Sequence, residues 1–270
     1  MTPLGRRRLR SLAALALGAL TAAGCARTTQ QVPVPIGDAG RDAAADLVLR
    51  DIFRSSVQIR IQRDGAPVRW GSGVVIGGRP PGGDAECLVL TAGHTVAGLK
   101  RGDEIYALLD RHQPSSVEAR AAVASARDDE SWDLALLRLA GVSCAPALAG
   151  QPPSLGDAIW VVGFPLGGEM TVGRGIVSQV SPARPGTPPR FTIDASTSHG
   201  SSGAGVFEAR TGRLIGLVEA FGTTRVPIRG DTASAHIDIP MPGMTYVTPV
   251  NRIDEFLQAA GASRLLVGRQ

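Results

Sequence analysis

The sequence predicts an all-β protein: two six-stranded antiparallel β-barrels followed by a short C-terminal helix. Three observations predict it. Aromatic residues make up only 4% of the 270 residues, while glycine (34) and proline (19) are abundant. That mixture suits short strands joined by tight turns better than a helical bundle. Apolar and alternating runs fall into two series, roughly six strands on either side of a proline-containing connection at 146–153. Strand patterns do not alternate with helical ones, which argues against an α/β fold.

In chain order, residues 1–24 read as a lipoprotein-type signal peptide. Arg6, Arg7, Arg8 and Arg10 precede an apolar run from Ser11 to Leu20 and then small residues up to Gly24. The run is shorter than the ~20 apolar residues needed to cross a bilayer. Ala22-Ala23-Gly24-Cys25 resembles the bacterial lipobox, with Ala22 where leucine is usual, so Cys25 is the expected lipidation site. Ala26 is not the aspartate that commonly retains lipoproteins at the inner membrane. The expectation is an exported protein, lipid-anchored to a membrane of the cell envelope, on its periplasmic or outer face.

Residues 25–48 are expected to be a tether and the start of an N-terminal helix, polar and proline-containing up to about residue 42. Helical spacing groups Leu47, Leu49, Ile52 and Phe53 toward one side. Strand-like runs follow at 56–62, 68–76, 87–91, 119–125 and 134–139, then at 158–163, 171–180, 190–193, 204–207, 214–220 and 244–248. Clusters such as Gly77-Gly78-Arg79-Pro80-Pro81-Gly82-Gly83 bound them. Proline near its start, early acids and Gly261 at its end mark a terminal helix at 249–258. The main domain is expected over 49–255, with the helix end and tail at 256–270.

The formal charge of +4 belongs to the leader. Residues 1–24 hold no acid and four arginines, and removing those four from 28 basic residues leaves 24 against 24 acidic ones. No clustered basic face argues for nucleic acid. Beyond Cys25 only Cys87 and Cys144 remain. In oxidising surroundings they are candidates for one disulfide; as two small buried apolar residues they read equally well. The four histidines (His94, His112, His199 and His236) are scattered without a Cys-x-x-Cys or His-x-x-x-His pair, so neither a metal nor a cofactor is expected.

Three segments carry chemistry. Leu90-Thr91-Ala92-Gly93-His94-Thr95-Val96 delivers a histidine from an apolar strand into a small-residue turn. Ser131-Trp132-Asp133-Leu134-Ala135-Leu136-Leu137 places an aspartate at the mouth of another. His199-Gly200-Ser201-Ser202-Gly203-Ala204-Gly205 is a serine among glycines. A serine hydroxyl stays protonated at neutral pH and needs a base to attack. Histidine titrates near working pH and can return the proton to a leaving amine. A buried aspartate fixes its tautomer. Glycines let backbone N–H groups face a developing oxyanion. Each segment alone is weak; together, in the order His, Asp, Ser on a two-barrel pattern, they are strong.

These segments resemble the trypsin/chymotrypsin clan of serine peptidases, especially the bacterial HtrA-type enzymes, over about residues 50–255. Thr91-Ala92-Gly93-His94 is similar to the family's Thr-Ala-x-His, and Asp133-Leu134-Ala135-Leu136-Leu137 to its Asp-Leu-Ala-Leu-Leu/Ile. Gly200-Ser201-Ser202-Gly203-Ala204 resembles Gly-Asn-Ser-Gly-Gly, and Gly71-Ser72-Gly73-Val74-Val75-Ile76 resembles Gly-Ser-Gly-Phe-Val-Ile. The resemblance implies a chymotrypsin-like fold and a serine endopeptidase acting on polypeptides. It implies His94, Asp133 and Ser202 as the triad, and the amides of Gly200 and Ser202 as the oxyanion hole. Ser196, with Val218, Glu219 and Ala220, is implied to line the primary specificity pocket. No PDZ-type domain is expected after the closing helix.

The departures carry information. Ser201 stands where pancreatic-type enzymes have an aspartate that pairs with a freshly cut N-terminus, so activation by N-terminal cleavage is not expected. Ser196 brings no fixed charge, which predicts small or medium apolar side chains before the scissile bond. His199 is expected at the rim, and His112 and His236 at the surface. An α/β-hydrolase would want the chain order Ser, acid, His and glycine at position 204. The remaining alternative is a catalytically silent, peptidase-shaped binding or sensor lipoprotein.

Overall fold

The computed structural model describes residues 43–77, 87–129, 131–184, 188–227 and 236–262. The expected signal peptide, Cys25 and most of the expected tether lie outside the described residues. Helix α1 (Ala43–Ser55) opens the described chain. The first barrel follows: β1 (Ser56–Arg63), β2 (Ala66–Val75), β3 (Cys87–Thr91), the single helical turn α2 (Gly93–Val96), β4 (Asp103–Leu109), β5 (Val117–Asp129) and β6 (Trp132–Leu139). The second holds β7 (Ala158–Gly163), β8 (Thr171–Ser181), β9 (Arg190–Ile193), β10 (Gly205–Glu208), β11 (Leu214–Pro227) and β12 (His236–Pro249), before α3 (Val250–Ala259). Each barrel closes, in the orders β1-β2-β3-β6-β5-β4 and β10-β11-β12-β9-β8-β7, with antiparallel pairing throughout. This is the predicted fold class. Among the described residues no helix is long and apolar enough to cross a membrane.

Strand alternation builds the cores. Val57, Ile59 and Ile61 point inward from β1 and meet Val89, Ala107 and Leu137 inside the first barrel. Ile159, Val161, Phe191 and Val247 fill the second. A third core joins the barrels: Ile52 of α1 and Phe256 and Leu257 of α3 pack with Val74, Leu134 and Phe207. The helices therefore seal the seam between barrels, and loops from both barrels meet beside that seam. Cys87 and Cys144 form a disulfide, with an S–S distance of 2.14 Å and Cα atoms 6.0 Å apart, tying the start of β3 to the connection after β6.

Two elements depart from the sequence pattern. Strand β4 has no counterpart among the predicted runs, because it begins with Asp103 and Glu104, a residue type depleted in strands. Its partner strand supplies the compensation. Arg63, opposite Asp103 in the ladder, donates to both its carboxylate oxygens at 2.7 and 3.0 Å. Those bonds, with the Lys100 amide, hold the Asp103 carboxyl down at about 2. The pair β11–β12 also runs beyond the expected strands as a two-stranded ribbon, pairing Thr223 with Pro240 through Pro227 with His236. Its residues are exposed on both faces, so no in–out alternation marks it.

Candidate active site

His94 stands on a turn whose approach is set by a missing side chain. A Cβ on Gly93 would lie 2.0 Å from the Arg127 carbonyl oxygen, so only glycine lets β5 pass directly behind the turn. Arg69 of β2 ties the other side: Nη1 donates to the carbonyls of His94, Thr95 and Ala97 at 3.2, 3.1 and 2.7 Å. Asp133, second residue of β6, then meets the histidine twice. Its Oδ2 is 2.7 Å from Nδ1, and its Oδ1 accepts the His94 backbone N–H at 2.8 Å. An ionised carboxylate only accepts, so Nδ1 carries the proton and Nε2 presents a lone pair. The Asp133 bond raises the His94 pKa above its ordinary value; burial and Arg69 oppose this, and the charge of Glu219 adds to it. Trp132, beside Asp133, lies under the Arg252 guanidinium at 3.7 Å, and Arg252 donates to the Ser131 carbonyl at 2.7 Å. Helix α3 thereby grips the hairpin that carries Asp133.

Ser202 comes from the second barrel, in the loop between β9 and β10. Its carbonyl accepts the Ser72 N–H at 2.9 Å. The next residue, Gly203, is pressed on β2 and the end of β3: a Cβ there would meet Ser72 O at 2.2 Å, Thr91 Oγ1 at 2.5 Å and Ala92 N at 2.9 Å. Gly71 lies between the Thr95 side chain and the Ser202 carbonyl. The loop thus rests on the strand end and turn that deliver His94. Among the described residues the Ser202 hydroxyl makes no hydrogen bond, so serine and imidazole are not hydrogen-bonded at rest. Apo sites commonly show that looseness.

The loop's amides have a defined direction. Gly200 has φ +87°, open to glycine and strained for other residues. The His199 carbonyl accepts the Leu166 N–H at 2.7 Å. In a trans peptide the C=O and N–H point oppositely, so this bond turns the Gly200 N–H away from the Leu166 side. Among the described residues neither the Gly200 nor the Ser202 amide has an acceptor. Ser201 is buried and accepts the Ser198 N–H through Oγ at 3.3 Å; it brings no charge to the loop.

The four residues assigned to the specificity pocket have different surroundings. Ser196 lines a recess of about 210 Å³ with Val161, Gly163, Gly173, Ser198 and Ala204, walled by β7 and β8. Val218 is 2% exposed and packs in the second-barrel core. Ala220 is exposed on β11. Glu219 sits where the β11–β12 register shifts, between Val218 and Ala220. A bulge of this kind re-aims a side chain. Its carboxylate turns to Arg190 (3.3 Å) and the Thr248 hydroxyl (3.4 Å), in a recess shared with Asp133, Trp132 and Arg252. Burial pushes the Glu219 pKa up, Arg190 pulls it down, and Asp133 pushes it up again. Val218, Glu219 and Ala220 are not among the residues that line the recess beside Ser196.

His199 packs edge-on against Phe221, centroids 5.2 Å apart, on the loop's outer side. His236 is exposed. His112 differs from its expected surface position: it packs against Phe53 at 5.7 Å, and burial lowers its pKa. Among the described residues no group of three or more His, Cys, Asp or Glu side chains is placed to hold a metal ion. Two contributors were not singled out for these roles in the sequence: Arg69 and Ser72. An arginine in a strand gives no local sign that it caps a turn 25 residues later.

Residues 71–217 match the family profile of the trypsin-like peptidase domain. No curated protein matches the sequence. Among solved structures, the chain is similar to an inactive serine-to-alanine mutant of Rv3671c from M. tuberculosis H37Rv. The TM-score is 0.58 at 22% identity, over 84% of this chain and 98% of that one. It is similar to a serine endoprotease from Yersinia pestis (TM-score 0.59, 19% identity, 84% and 68% covered). A third similar structure is the HtrA-type protease AlgW, as a serine-to-alanine variant with a tripeptide (TM-score 0.58, 20% identity, 80% and 62% covered). At these identities the likeness is one of fold.

Proposed function

The chain belongs to the trypsin-like peptidase family and is a serine-type endopeptidase; from that premise we propose that His94, Asp133 and Ser202 are its triad and that it works in the cell envelope. The observation that carries the triad is the pair of hydrogen bonds between His94 and Asp133, of which the one at Nδ1 leaves Nε2 as the unprotonated ring nitrogen. In the proposed reaction His94 Nε2 takes the Ser202 hydroxyl proton as Oγ attacks the substrate carbonyl. The oxyanion forms against the Gly200 and Ser202 N–H groups. Imidazolium then gives its proton to the leaving amine, and water repeats the sequence to free Ser202 from the acyl group.

A fluorophosphonate probe tests the assignment. Labelling at Ser202, abolished in Ser202→Ala and strongly reduced in His94→Ala, is expected. Labelling elsewhere, or none, would return the chain to the silent-binder alternative.

We further propose export and lipidation at Cys25, holding the domain on a membrane by a tether, with envelope proteins as substrates for quality control or processing. Supporting this are the arginine-flanked apolar leader and the Ala-Ala-Gly-Cys sequence at 22–25. Mass spectrometry of the mature N-terminus should find a lipid-modified Cys25; an unmodified or uncleaved leader counts against it. Uncharged side chains before the scissile bond are proposed from Ser196, and a peptide library cut after arginine but not after valine or alanine would reverse that.

A further inference from the structure

Ser72 is fully buried in β2, a strand of the first barrel, yet two of its three polar groups, the N–H and the hydroxyl, serve the loops of the second. Its N–H donates to the Ser202 carbonyl at 2.9 Å. Its Oγ stands 2.7 Å from the Gly200 carbonyl oxygen and 2.9 Å from the Phe164 amide nitrogen. A hydroxyl has one proton to give. The Phe164 N–H is itself a donor, so the hydroxyl accepts there and donates to Gly200. The Ser72 carbonyl accepts the Thr91 hydroxyl at 2.7 Å, at the end of the strand that leads to His94.

These bonds complete a clamp around Gly200. The peptide before it is held through the His199 carbonyl by Leu166, and the peptide after it through its own carbonyl by Ser72. A glycine has no side chain to restrict it, so two fixed flanking peptides are what decide where its N–H points. The Leu166 end of the clamp is under tension: its φ of 55° is left-handed, which a leucine adopts only when its surroundings hold it. Gln58 of β1, 3% exposed, supplies that hold by donating to the Gly167 carbonyl at 2.7 Å. There is no slack: a Cβ on Gly163 would lie 2.9 Å from Ser72 Oγ.

We propose that Ser72, assisted by Gln58, is a positioning residue that presets the oxyanion loop from the first barrel. This deepens the peptidase reading above and rests on it for its kinetic consequence. Ser72 touches neither substrate nor reacting atoms; it acts through Gly200.

The test is Ser72→Ala in the full chain, read two ways. Turnover should lose roughly ten- to a hundredfold in kcat with KM changed less than about twofold, as for interactions made mainly in the transition state. Amide hydrogen exchange should quicken at least about tenfold at Phe164 and Leu166, while Val89 and Val206 in the two barrels keep their rates. Unchanged exchange at Phe164 and Leu166, or a rise shared equally by the barrel amides, overturns the clamp. If Ser72→Ala does not fold, Gln58→Met carries the test, with faster exchange at Leu166 and a smaller loss of kcat expected and unchanged rates refuting it. Exchange needs no catalysis, so a wild type that fails to label at Ser202 would defeat the peptidase reading while the exchange rates still decided the clamp.

Discussion

Asp133 holds His94 at two points, the ring through Nδ1 at 2.7 Å and the backbone through its N–H at 2.8 Å. One carboxylate therefore fixes tautomer, ring direction and the turn that carries the ring. Asp133→Asn keeps the shape but offers an amide N–H where an acceptor is needed. Either the amide reverses or Nδ1 loses its proton, and the lone pair then moves from Nε2 to Nδ1. A loss of about 10⁴ in kcat is expected, with binding little changed. A loss below tenfold, measured on a peptide ester or amide, would remove Asp133 from the mechanism.

The same bond makes activity and stability depend on pH in opposite senses. His94 must be neutral to act, and its folded pKa is raised by Asp133. The acid limb of kcat/KM should therefore lie above histidine's ordinary pKa of ~6.5. For stability the sign runs the other way. The contribution of the charged pair is complete below the unfolded value and is lost as pH rises through the folded one. Urea unfolding of wild type and Asp133→Asn across pH 5–9 should show their difference shrinking toward high pH.

Glu219 bears on the same titration. Its charge, in the recess behind Asp133, favours the imidazolium of His94. The other charged groups in or facing that recess are Arg190, Asp129 and Arg252, and Arg69 acts on His94 from β2. In Glu219→Gln the acid limb should move to lower pH, leaving more base active near pH 6. A limb that stays put or moves upward in a pH–rate profile contradicts this.

The disulfide closes a long loop. Its cysteines are 57 residues apart, and cross-links of this kind typically contribute about 2–4 kcal/mol by constraining the unfolded chain. The Cys87→Ser, Cys144→Ser double variant should lose stability of that order in urea unfolding. Wild type with reductant should match it. Equal midpoints with and without reductant would show that the bond adds nothing.

Phe256 tests the seam. It is 1% exposed in the core between the barrels, and its ring lies 6.3 Å from Trp132. Phe256→Ala should cost about 3–5 kcal/mol. Because Trp132 adjoins Asp133, kcat should fall as well, whereas an equally destabilising cavity at Ile61 inside the first barrel should spare kcat at temperatures where both variants are folded.

By itself the sequence determined the two-barrel class, because in-and-out alternation and glycine–proline boundaries are local signals. It also singled out His94, Asp133 and Ser202 for the proposed triad, because each sits in a short segment whose residue types the chemistry requires. It did not determine β4, whose acids are tolerable only opposite Arg63, or the β11–β12 ribbon, which lacks a buried face. Tertiary structure alone decided where Glu219 points, since a bulge cannot be read from the bulged strand without its partner. It alone assigned Arg69 to the His94 turn and Ser72 to the Gly200 loop. Those bonds join residues 25 and 128 positions apart, and nothing in a hydroxyl's neighbours along the chain records which carbonyl folding will bring to it.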